Sequence, residues 1–120
     1  MNEIKPTIEY GDFAKLDMRI GTVVSAEAVP NSEKLVRMMV DIGEKDEAGV
    51  PKHRQILAGI VKFYAPESLI GRQIVVAANL AYRKLAGIES QGMLIAGHSE
   101  DGGAVILSPE KPVFNGSHLS

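Results

Sequence analysis

The side chains best suited to chemistry lie in one polar stretch, residues 79–91. This stretch supplies hydrogen-bonding groups, two cations and an aromatic ring, on Asn79, Tyr82, Arg83, Lys84, Ser90 and Gln91. An Arg guanidinium can bind a phosphate through two parallel hydrogen bonds while a Lys ammonium acts as a point charge, so the adjacent pair suits a phosphate backbone. A tyrosine ring can stack on an unpaired base. We therefore predict that this stretch recognises something anionic and planar, which indicates a nucleic acid.

The same residues also have ordinary structural interpretations. Arg83 and Lys84 could belong to an exposed charged loop that has no partner. Asn79 and Ser90 could bond the backbone of their own turns, and Tyr82 could pack over the mouth of a barrel. Ser90 and Gln91 could instead bind RNA, including a ribose 2′-hydroxyl. From the residues alone, both interpretations stay open.

No group of residues in the sequence predicts catalysis. The stretch 79–91 holds no nucleophile–base pair, and no carboxylate pair or metal cluster lies near it. His53, His98 and His118 do not have the spacing of metal ligands, so we interpret all three as ordinary surface residues. We expect no catalytic residue, no metal site and no cofactor.

Length and composition bound the class of protein. The 120 residues suffice for one domain with a single core, and a hydrophobic share of 45% is typical of a globular chain. The absence of cysteine suits a reducing cytoplasm. The N-terminus does not resemble a signal peptide, and no apolar run approaches the roughly 18 residues of a membrane helix. We therefore expect a soluble cytoplasmic protein with no membrane partner.

The charge distribution favours a local positive face on an acidic chain. The net charge of −2 and the pI of about 5.9 count against a general nucleic-acid binder. Between residues 72 and 97, however, the sequence has three cations, Arg72, Arg83 and Lys84, and only one anion, Glu89. We predict weak, salt-sensitive attraction for an anionic partner rather than indiscriminate binding.

Short strands are the elements that must position residues 79–91. Alternating or β-branched apolar runs predict five of them, at residues 17–29, 34–42, 54–59, 73–78 and 93–96. Gly21 within the first run predicts a bulge or a strong bend. A helical turn is expected at residues 10–16 with Asp12 as its N-cap, and another at residues 66–70, closed by Gly71.

Five strands with a small helix between the third and fourth predict an all-β chain with short helices. This is the outline of an OB-fold, a five-stranded β-barrel, although SH3-like barrels have a similar pattern. A hairpin turn is expected at residues 101–103. We divide the chain into an N-terminal arm (residues 1–10), an OB-fold domain (11–108) and an irregular or edge-like C-terminal extension (109–120).

Several motifs, in order along the chain, resemble one family. They are the segments 12–21, 32–35, 54–60, 70–72, 79–85 and 90–93. The family is the tRNA-binding domain found at the C-terminus of bacterial methionyl-tRNA synthetases, in stand-alone tRNA-binding proteins and in factors resembling endothelial-monocyte-activating polypeptide. The resemblance runs from about residue 11 to residue 108. It implies an OB-fold that binds tRNA by shape, frequently as a homodimer.

Position by position, the resemblance implies a set of tRNA-contacting residues. They are Asn79, Arg83, Lys84, Ser90 and Met93, with Lys34 and Arg37 extending the basic surface. Met93 opens a strand, so a place in the core is its ordinary interpretation. Strict alternation would put Lys34 and Arg37 on opposite faces of their strand.

Two positions depart from the family pattern. The family often has proline where this chain has Tyr82, and a basic or bulky residue where it has Ala86. The Ala86-Gly87 pair is more similar to the CsaA branch, whose members are described as secretion chaperones. The segment 90–93, in contrast, is similar to the tRNA-binding branch of the family.

We therefore interpret the chain as a non-catalytic tRNA-binding protein. It would act as a cofactor in trans, or as an appended domain, of methionyl-tRNA synthetase, and as a homodimer since each copy carries few cations. Ile4, Ile8, Val113 and Phe114 are the candidate interface residues. The alternative is a CsaA-like chaperone or protein-docking dimer, which the acidic pI favours.

Overall fold

An antiparallel sheet that curls into a nearly closed barrel forms the body of the computed structural model, which describes residues 3–120. Its strands are among nine within these residues: β1 (Met18–Ala28), β2 (Val36–Asp41), β3 (Arg54–Ala58), β4 (Gln73–Ala77), β5 (Arg83–Leu85), β6 (Ile88–Ser90), β7 (Met93–Leu94), β8 (Ala96–His98) and β9 (Ala104–Ile106). The barrel order is β3-β2-β1-β4-β7. The predicted all-β fold with an OB-like five-stranded barrel is confirmed.

The long strand β1 serves both halves of the barrel. Its second half pairs with β2 and its first half with β4, and Thr22 takes part in both pairings. The register shifts between Val23 and Ser25, so the bulge lies at that point and not at Gly21, where the sequence predicts a bulge or a strong bend. A Cβ on Gly21 would lie 2.8 Å from the carbonyl oxygen of Asp41. Gly21 is therefore needed for the close approach of β2.

The core fills the inside of this barrel with alternate side chains of its strands. Val36, Met38 and Val40 of β2 are completely buried, whereas Arg37 and Met39 between them face outward and are half-buried. A 3₁₀ turn at Pro66–Leu69 places the fully buried Leu69 against this core. The turn occupies the expected position, and Gly71 after it has a φ of 89°, which glycine adopts without strain.

The helix α1 (Tyr10–Ala14) precedes the barrel. Its N-cap is Glu9 and not Asp12 as the sequence suggested. Asp12 lies at the third helical position, where its carboxylate accepts a hydrogen bond from the Glu9 amide at 3.2 Å. Residues 3–9 have no regular secondary structure and are exposed. The remaining residues of the predicted arm, 1 and 2, lie outside the described part of the chain. No helix within residues 3–120 is long and apolar enough to cross a membrane.

The C-terminal extension returns to the barrel and lies along β1. The Ile20 amide donates to the Ser117 carbonyl at 2.9 Å, and the Leu119 amide donates to the Met18 carbonyl at 3.0 Å. The side chain of Gln73 bonds both backbone groups of Val113, at 2.7 and 3.0 Å. The extension thus covers an otherwise open side of β1, in agreement with the expected edge element.

Two predicted elements differ from the structure. Residues 79–91 are not a loop throughout, because β5 and β6 form a separate two-stranded hairpin. The predicted fifth strand is interrupted at Ile95: β7 stays in the barrel, and β8 turns away to pair with β9. The predicted hairpin turn at residues 101–103 joins β8 to β9 and is confirmed.

Candidate nucleic-acid interface

The β5–β6 hairpin has an inner face that packs on the barrel and an outer face exposed to solvent. Leu85 and Ile88 are directly opposed and pack against a small apolar cluster of Val29, Leu35 and Leu57. Because side chains alternate along a strand, Arg83 lies on the inner face with Leu85, and Lys84 lies on the outer face. The two adjacent cations therefore point in different directions from one rigid ribbon.

A two-residue turn closes the hairpin. Ala86 has a φ of 51° and Gly87 a φ of 78°, so both central residues are left-handed, as a type I′ turn requires. Glycine adopts this conformation freely, whereas a residue with a Cβ does so at a cost of about 1–2 kcal/mol. Ala86 is therefore a strained position at the tip of the candidate interface.

Arg83 and Lys84 have no carboxylate partner among residues 3–120. The ion pairs of this part of the chain involve other cations: Lys15, Arg19, Arg37, Arg54 and His118. Glu89 is opposite Lys84 in the hairpin but makes no salt bridge with it, and its carboxylate accepts a hydrogen bond from Gln91 at 3.3 Å. Both cations are exposed, so their charges are available to an anion from outside.

Ser90 and Gln91 attach the hairpin to the free edge of β3. The amide of Leu57 donates to the Ser90 hydroxyl at 3.1 Å, and the amide of Gln55 donates to the Gln91 side-chain oxygen at 2.9 Å. The Gln55 side chain donates in turn to the Glu89 carbonyl at 2.7 Å. These bonds satisfy edge amides that would otherwise be unpaired. The predicted contact of Ser90 and Gln91 with RNA stays a prediction, and it would compete with these bonds.

Asn79 also bonds the protein's own backbone. Its side-chain oxygen accepts from the Asp17 amide at 2.8 Å, and its side-chain nitrogen donates to the Lys15 carbonyl at 2.6 Å. The amide group thus ties the residue after β4 to the segment between α1 and β1. The sequence left two roles open for Asn79, a backbone contact in its own turn or a contact with RNA. In the structure its side chain bonds backbone groups, but these lie 62 and 64 residues away rather than in its own turn.

Arg54 is the residue that sequence reasoning missed. Its Nη1 donates to the carbonyl oxygens of Ala78 at 2.6 Å and Gln91 at 2.9 Å, which flank the stretch 79–90. Its Nε and Nη2 donate to the two carboxylate oxygens of Glu44, both at 2.9 Å. The guanidinium carbon also lies 5.8 Å from the centre of the Tyr82 ring. One side chain therefore bonds the backbone at both ends of the hairpin segment and lies against its aromatic ring.

Tyr82 and Met93 are exposed apolar side chains beside the hairpin. Tyr82 is 50% exposed and Met93 is 47% exposed, so the ordinary interpretation of Met93 as a core residue is wrong. An aromatic ring and a thioether that remain in contact with water next to unpaired cations can both contact the face of a base. The structure thus brings Arg83 and Met93 to one pocket, whereas the Tyr82 ring lies against Arg54.

Lys34 and Arg37 differ in whether their charge is paired with a carboxylate. Lys34 precedes β2, is exposed, and makes no salt bridge in the described chain. The carbon atoms of its side chain lie beside Gly59, just after β3, and its neighbour Leu35 belongs to the apolar cluster under the hairpin. Arg37 donates to Gln55 at 2.6 Å and to Glu27 at 2.8 Å, so its charge is already paired. Arg37 therefore supports the glutamine that holds the hairpin.

Paired arginines shift the pKa values of two carboxylates near the barrel wall. The hydrogen bonds from Arg54 hold the pKa of Glu44 below its usual range, and the hydrogen bond from Arg19 does the same to the pKa of Asp17. His118, interpreted from the sequence as an ordinary surface residue, lies 3.7 Å from Asp17. Residues 3–120 contain no cluster of His, Cys, Asp and Glu that could hold a metal ion.

Comparisons with known proteins show the family and the fold of the chain. Residues 18–118 match the model of the family described as "Putative tRNA binding domain". The chain is 46% identical over 119 residues to the methionine–tRNA ligase of Methanosarcina mazei, and the match covers 98% of this chain and 16% of the ligase. The chain thus spans about a sixth of the length of that relative.

Solved structures show the same fold over nearly all of the chain. The MetRS-related protein of Pyrococcus horikoshii superimposes with a TM-score of 0.85 at 31% identity, covering 97% of this chain and 100% of that one. The chaperone CsaA of Bacillus anthracis superimposes with a TM-score of 0.81 at 37% identity, covering 96% and 100%. The family model matches residues 18–118, and the ligase relative aligns with 98% of this chain. This chain belongs to the tRNA-binding domain family.

Proposed function

We propose that this chain binds tRNA without catalysis, through a surface formed by the β5–β6 hairpin and Lys34. The observation that carries the proposal is the pair of exposed cations, Arg83 and Lys84, that have no carboxylate partner within residues 3–120. Cations left unpaired on a rigid ribbon can bind phosphates without first breaking an internal ion pair. The family match supports tRNA as the source of those phosphates.

The residues of the surface divide into contacting and positioning groups. Tyr82, Arg83, Lys84, Met93 and Lys34 are exposed and contact the RNA. The others position that surface, because their polar groups already bond the protein: Arg37, Asn79, Ser90 and Gln91. The few cations of this surface contact phosphates, which carry no sequence information. The chain therefore recognises how the phosphates are arranged in space, that is, the shape of the tRNA.

A homodimer would double the number of contacts. Ile4 is 97% exposed, Ile8 64% and Phe114 74%, so three large apolar side chains near the two chain ends remain available to a partner. Val113, the fourth candidate, is half-buried and bonded to Gln73. We propose that the exposed residues of the arm and the extension form the dimer interface, and that two hairpins then engage one tRNA with higher avidity than either alone.

The partner enzyme we propose is a methionyl-tRNA synthetase. The curated relative matched over 98% of this chain is a methionine–tRNA ligase. A domain that binds the body of the tRNA outside the catalytic centre would increase the time the substrate spends near that centre. This chain would do so in the cytoplasm during translation, either in trans or as an appended domain.

The proposal is tested by measuring the dissociation constant for a tRNA transcript at about 0.1 M salt. Each phosphate contact releases about 0.7–0.9 counterion, so the double variant Arg83→Ala/Lys84→Ala should bind about 30-fold more weakly than wild type. A matched control is Arg72→Ala/Lys111→Ala, which also removes one arginine and one lysine charge. Arg72 and Lys111 are exposed and lie together beside Gln73, at the opposite end of β4 from the hairpin.

Equal weakening by both double variants would mean that only the overall charge matters, and would reject the hairpin as the binding surface. Unchanged affinity in Arg83→Ala/Lys84→Ala would reject it as well. Thermal unfolding of each variant shows whether the fold is intact, and we expect both to remain folded because exposed surface charges contribute little to stability.

The second candidate is a CsaA-like chaperone or docking dimer. The 37% identity to the chaperone CsaA of Bacillus anthracis and the exposed apolar residues at both chain ends favour it. The two candidates are separated by the nucleic acid that co-purifies with the protein and by its effect on client aggregation. A raised ratio of the absorbance at about 260 nm to that at about 280 nm supports tRNA binding, since bound nucleic acid co-purifies with the protein. Suppressed aggregation without bound RNA supports the chaperone.

A further inference from the structure

A small pocket opens between the hairpin and β7, next to the unpaired cation Arg83. Its volume is about 100 Å³. Leu57 forms its buried floor, Leu80 and Leu85 line its walls, and the exposed Met93 lies at its mouth. The pocket is therefore open to solvent, and its lining is chiefly hydrocarbon.

The one hydroxyl in the lining is already used. Ser90 accepts a hydrogen bond from the Leu57 amide at 3.1 Å and donates to the Gly92 carbonyl at 3.0 Å. A sugar or a small ion would find no free polar side chain inside the pocket other than that of Arg83. The occupant must therefore bind mainly through apolar contact.

The volume and the rim together limit what that occupant can be. An apolar cavity of about 150 Å³ holds a benzene ring, so an open pocket of about 100 Å³ can take one planar ring part-way. Arg83 lines the same pocket, shares the inner face of the hairpin with Leu85, and has no carboxylate partner in residues 3–120. A ligand complementary to this site has a flat apolar part with an anion attached beside it.

We propose that this pocket receives one unstacked nucleobase of the bound tRNA, with the phosphate of the same nucleotide on Arg83. The inference rests on the proposed function and adds to it a subsite for a single nucleotide. Because no free side-chain amide or hydroxyl lines the pocket, the site accepts different bases and contributes affinity rather than sequence specificity. Lys84, on the other face of the hairpin, holds a different phosphate.

The pocket is tested by filling it. Ala81 lies in the lining and is exposed, so Ala81→Leu places an isobutyl group where the base would enter. We expect this variant to bind a tRNA transcript about tenfold more weakly, with the salt dependence of wild type, because no charge is removed. Ala48→Leu, at an exposed position of the loop between β2 and β3, is the matched control and should bind as wild type. Wild-type affinity in a folded Ala81→Leu protein would overturn the proposal.

A second test leaves the protein unchanged. Transfer RNAs are assembled from synthetic halves that carry one abasic nucleotide each, at the unpaired positions in turn. Wild type should lose about tenfold in affinity at one such position, and Ala81→Leu should lose nothing further there. Equal binding of every abasic tRNA to wild type would overturn the proposal, whatever the folding of the variant.

Failure of the pocket is distinguishable from failure of the proposed function. If Arg83→Ala/Lys84→Ala weakens binding and Ala81→Leu does not, the hairpin binds tRNA but the pocket is empty. If neither variant weakens it, the hairpin is not the interface. If Ala81→Leu leaves the tRNA affinity unchanged and abolishes binding of a short Leu-Asp peptide, the pocket belongs to a protein partner and the proposal is wrong.

Discussion

The cations of the barrel wall and those of the hairpin are used in opposite ways. On the wall, Arg19, Arg37 and Arg54 each make a salt bridge of 2.8–3.0 Å with a carboxylate. On the hairpin, Arg83 and Lys84 make none within the described chain. The distance between the two groups is short, since Arg54 bonds the backbone that flanks the hairpin segment. The difference thus lies in pairing rather than in location or residue type.

This comparison shows why an acidic protein can have a nucleic-acid surface. A paired arginine contributes structure, and its charge is largely cancelled for a distant phosphate. An unpaired cation on a supported ribbon keeps its full charge for the ligand. The net charge of −2 includes both groups and therefore says little about the surface itself.

The largest expected effect comes from removing the most extensively bonded wall arginine. In Arg54→Ala, the carbonyls of Ala78 and Gln91 lose their donor and the half-buried Glu44 loses its partner. We expect the free energy of unfolding in urea to fall by about 3 kcal/mol. Arg37→Ala is the control: its partner Glu27 has a side chain that is 64% exposed, so a loss of about 1 kcal/mol or less is expected. Equal losses would break the distinction among the wall arginines.

A smaller effect follows from the ionisation of Glu44. Its pKa is lowered by the hydrogen bonds from Arg54, so its contribution to stability is complete above the pKa of the unfolded chain, about 4.3. The contribution is lost as the pH falls from there through the lower pKa of the folded protein. Glu44→Gln should reduce the free energy of unfolding by about 1 kcal/mol at neutral pH, and this deficit should shrink as the pH falls below about 4.3. A deficit that does not depend on pH would mean that the charge of Glu44 contributes nothing.

The smallest effect concerns the hairpin turn. Ala86 occupies a left-handed position followed by glycine, and asparagine is the residue that this position of a type I′ turn prefers. Ala86→Asn should raise the free energy of unfolding by about 0.5 kcal/mol, and Ala28→Asn, at an exposed position of β1 where φ is not positive, should not raise it. If Ala86→Asn destabilises the protein, the strain assigned to this turn is absent.

Local patterns in the sequence predicted the strands of a small barrel, but did not separate an OB-fold from an SH3-like barrel. Alternation in β2 and the β-branched run of β4 indicate strands, and Gly71 after Pro66 indicates where the short turn ends. The family resemblance added the order of the motifs, and the family is confirmed over residues 18–118. Bulge and cap positions were wrong at Gly21 and Asp12, because neighbouring strands and backbone groups decide them rather than residue type alone.

The hairpin and its supports depend on contacts between segments that are distant in sequence. The three-residue strands β5 and β6 are too short to show a period, and the packing of Leu85 and Ile88 against the cluster around Leu57 stabilises them. Arg54 reaches a carboxylate 10 residues away and carbonyls 24 and 37 residues away. No local pattern marks such a residue. The sequence marks these polar residues only as a group, and the fold shows which of them keep free donors; their contact with RNA stays a prediction.

The salt dependence of tRNA binding tests the central claim most directly, because it counts the cations that meet phosphates. For wild type and Arg83→Ala/Lys84→Ala, the logarithm of the association constant is plotted against the logarithm of the salt concentration. The slope of the double variant should be shallower by about 1.5, since two contacts that each release about 0.7–0.9 counterion are lost. The slope of Arg72→Ala/Lys111→Ala should remain that of wild type. Parallel lines for wild type and the hairpin variant would contradict the account.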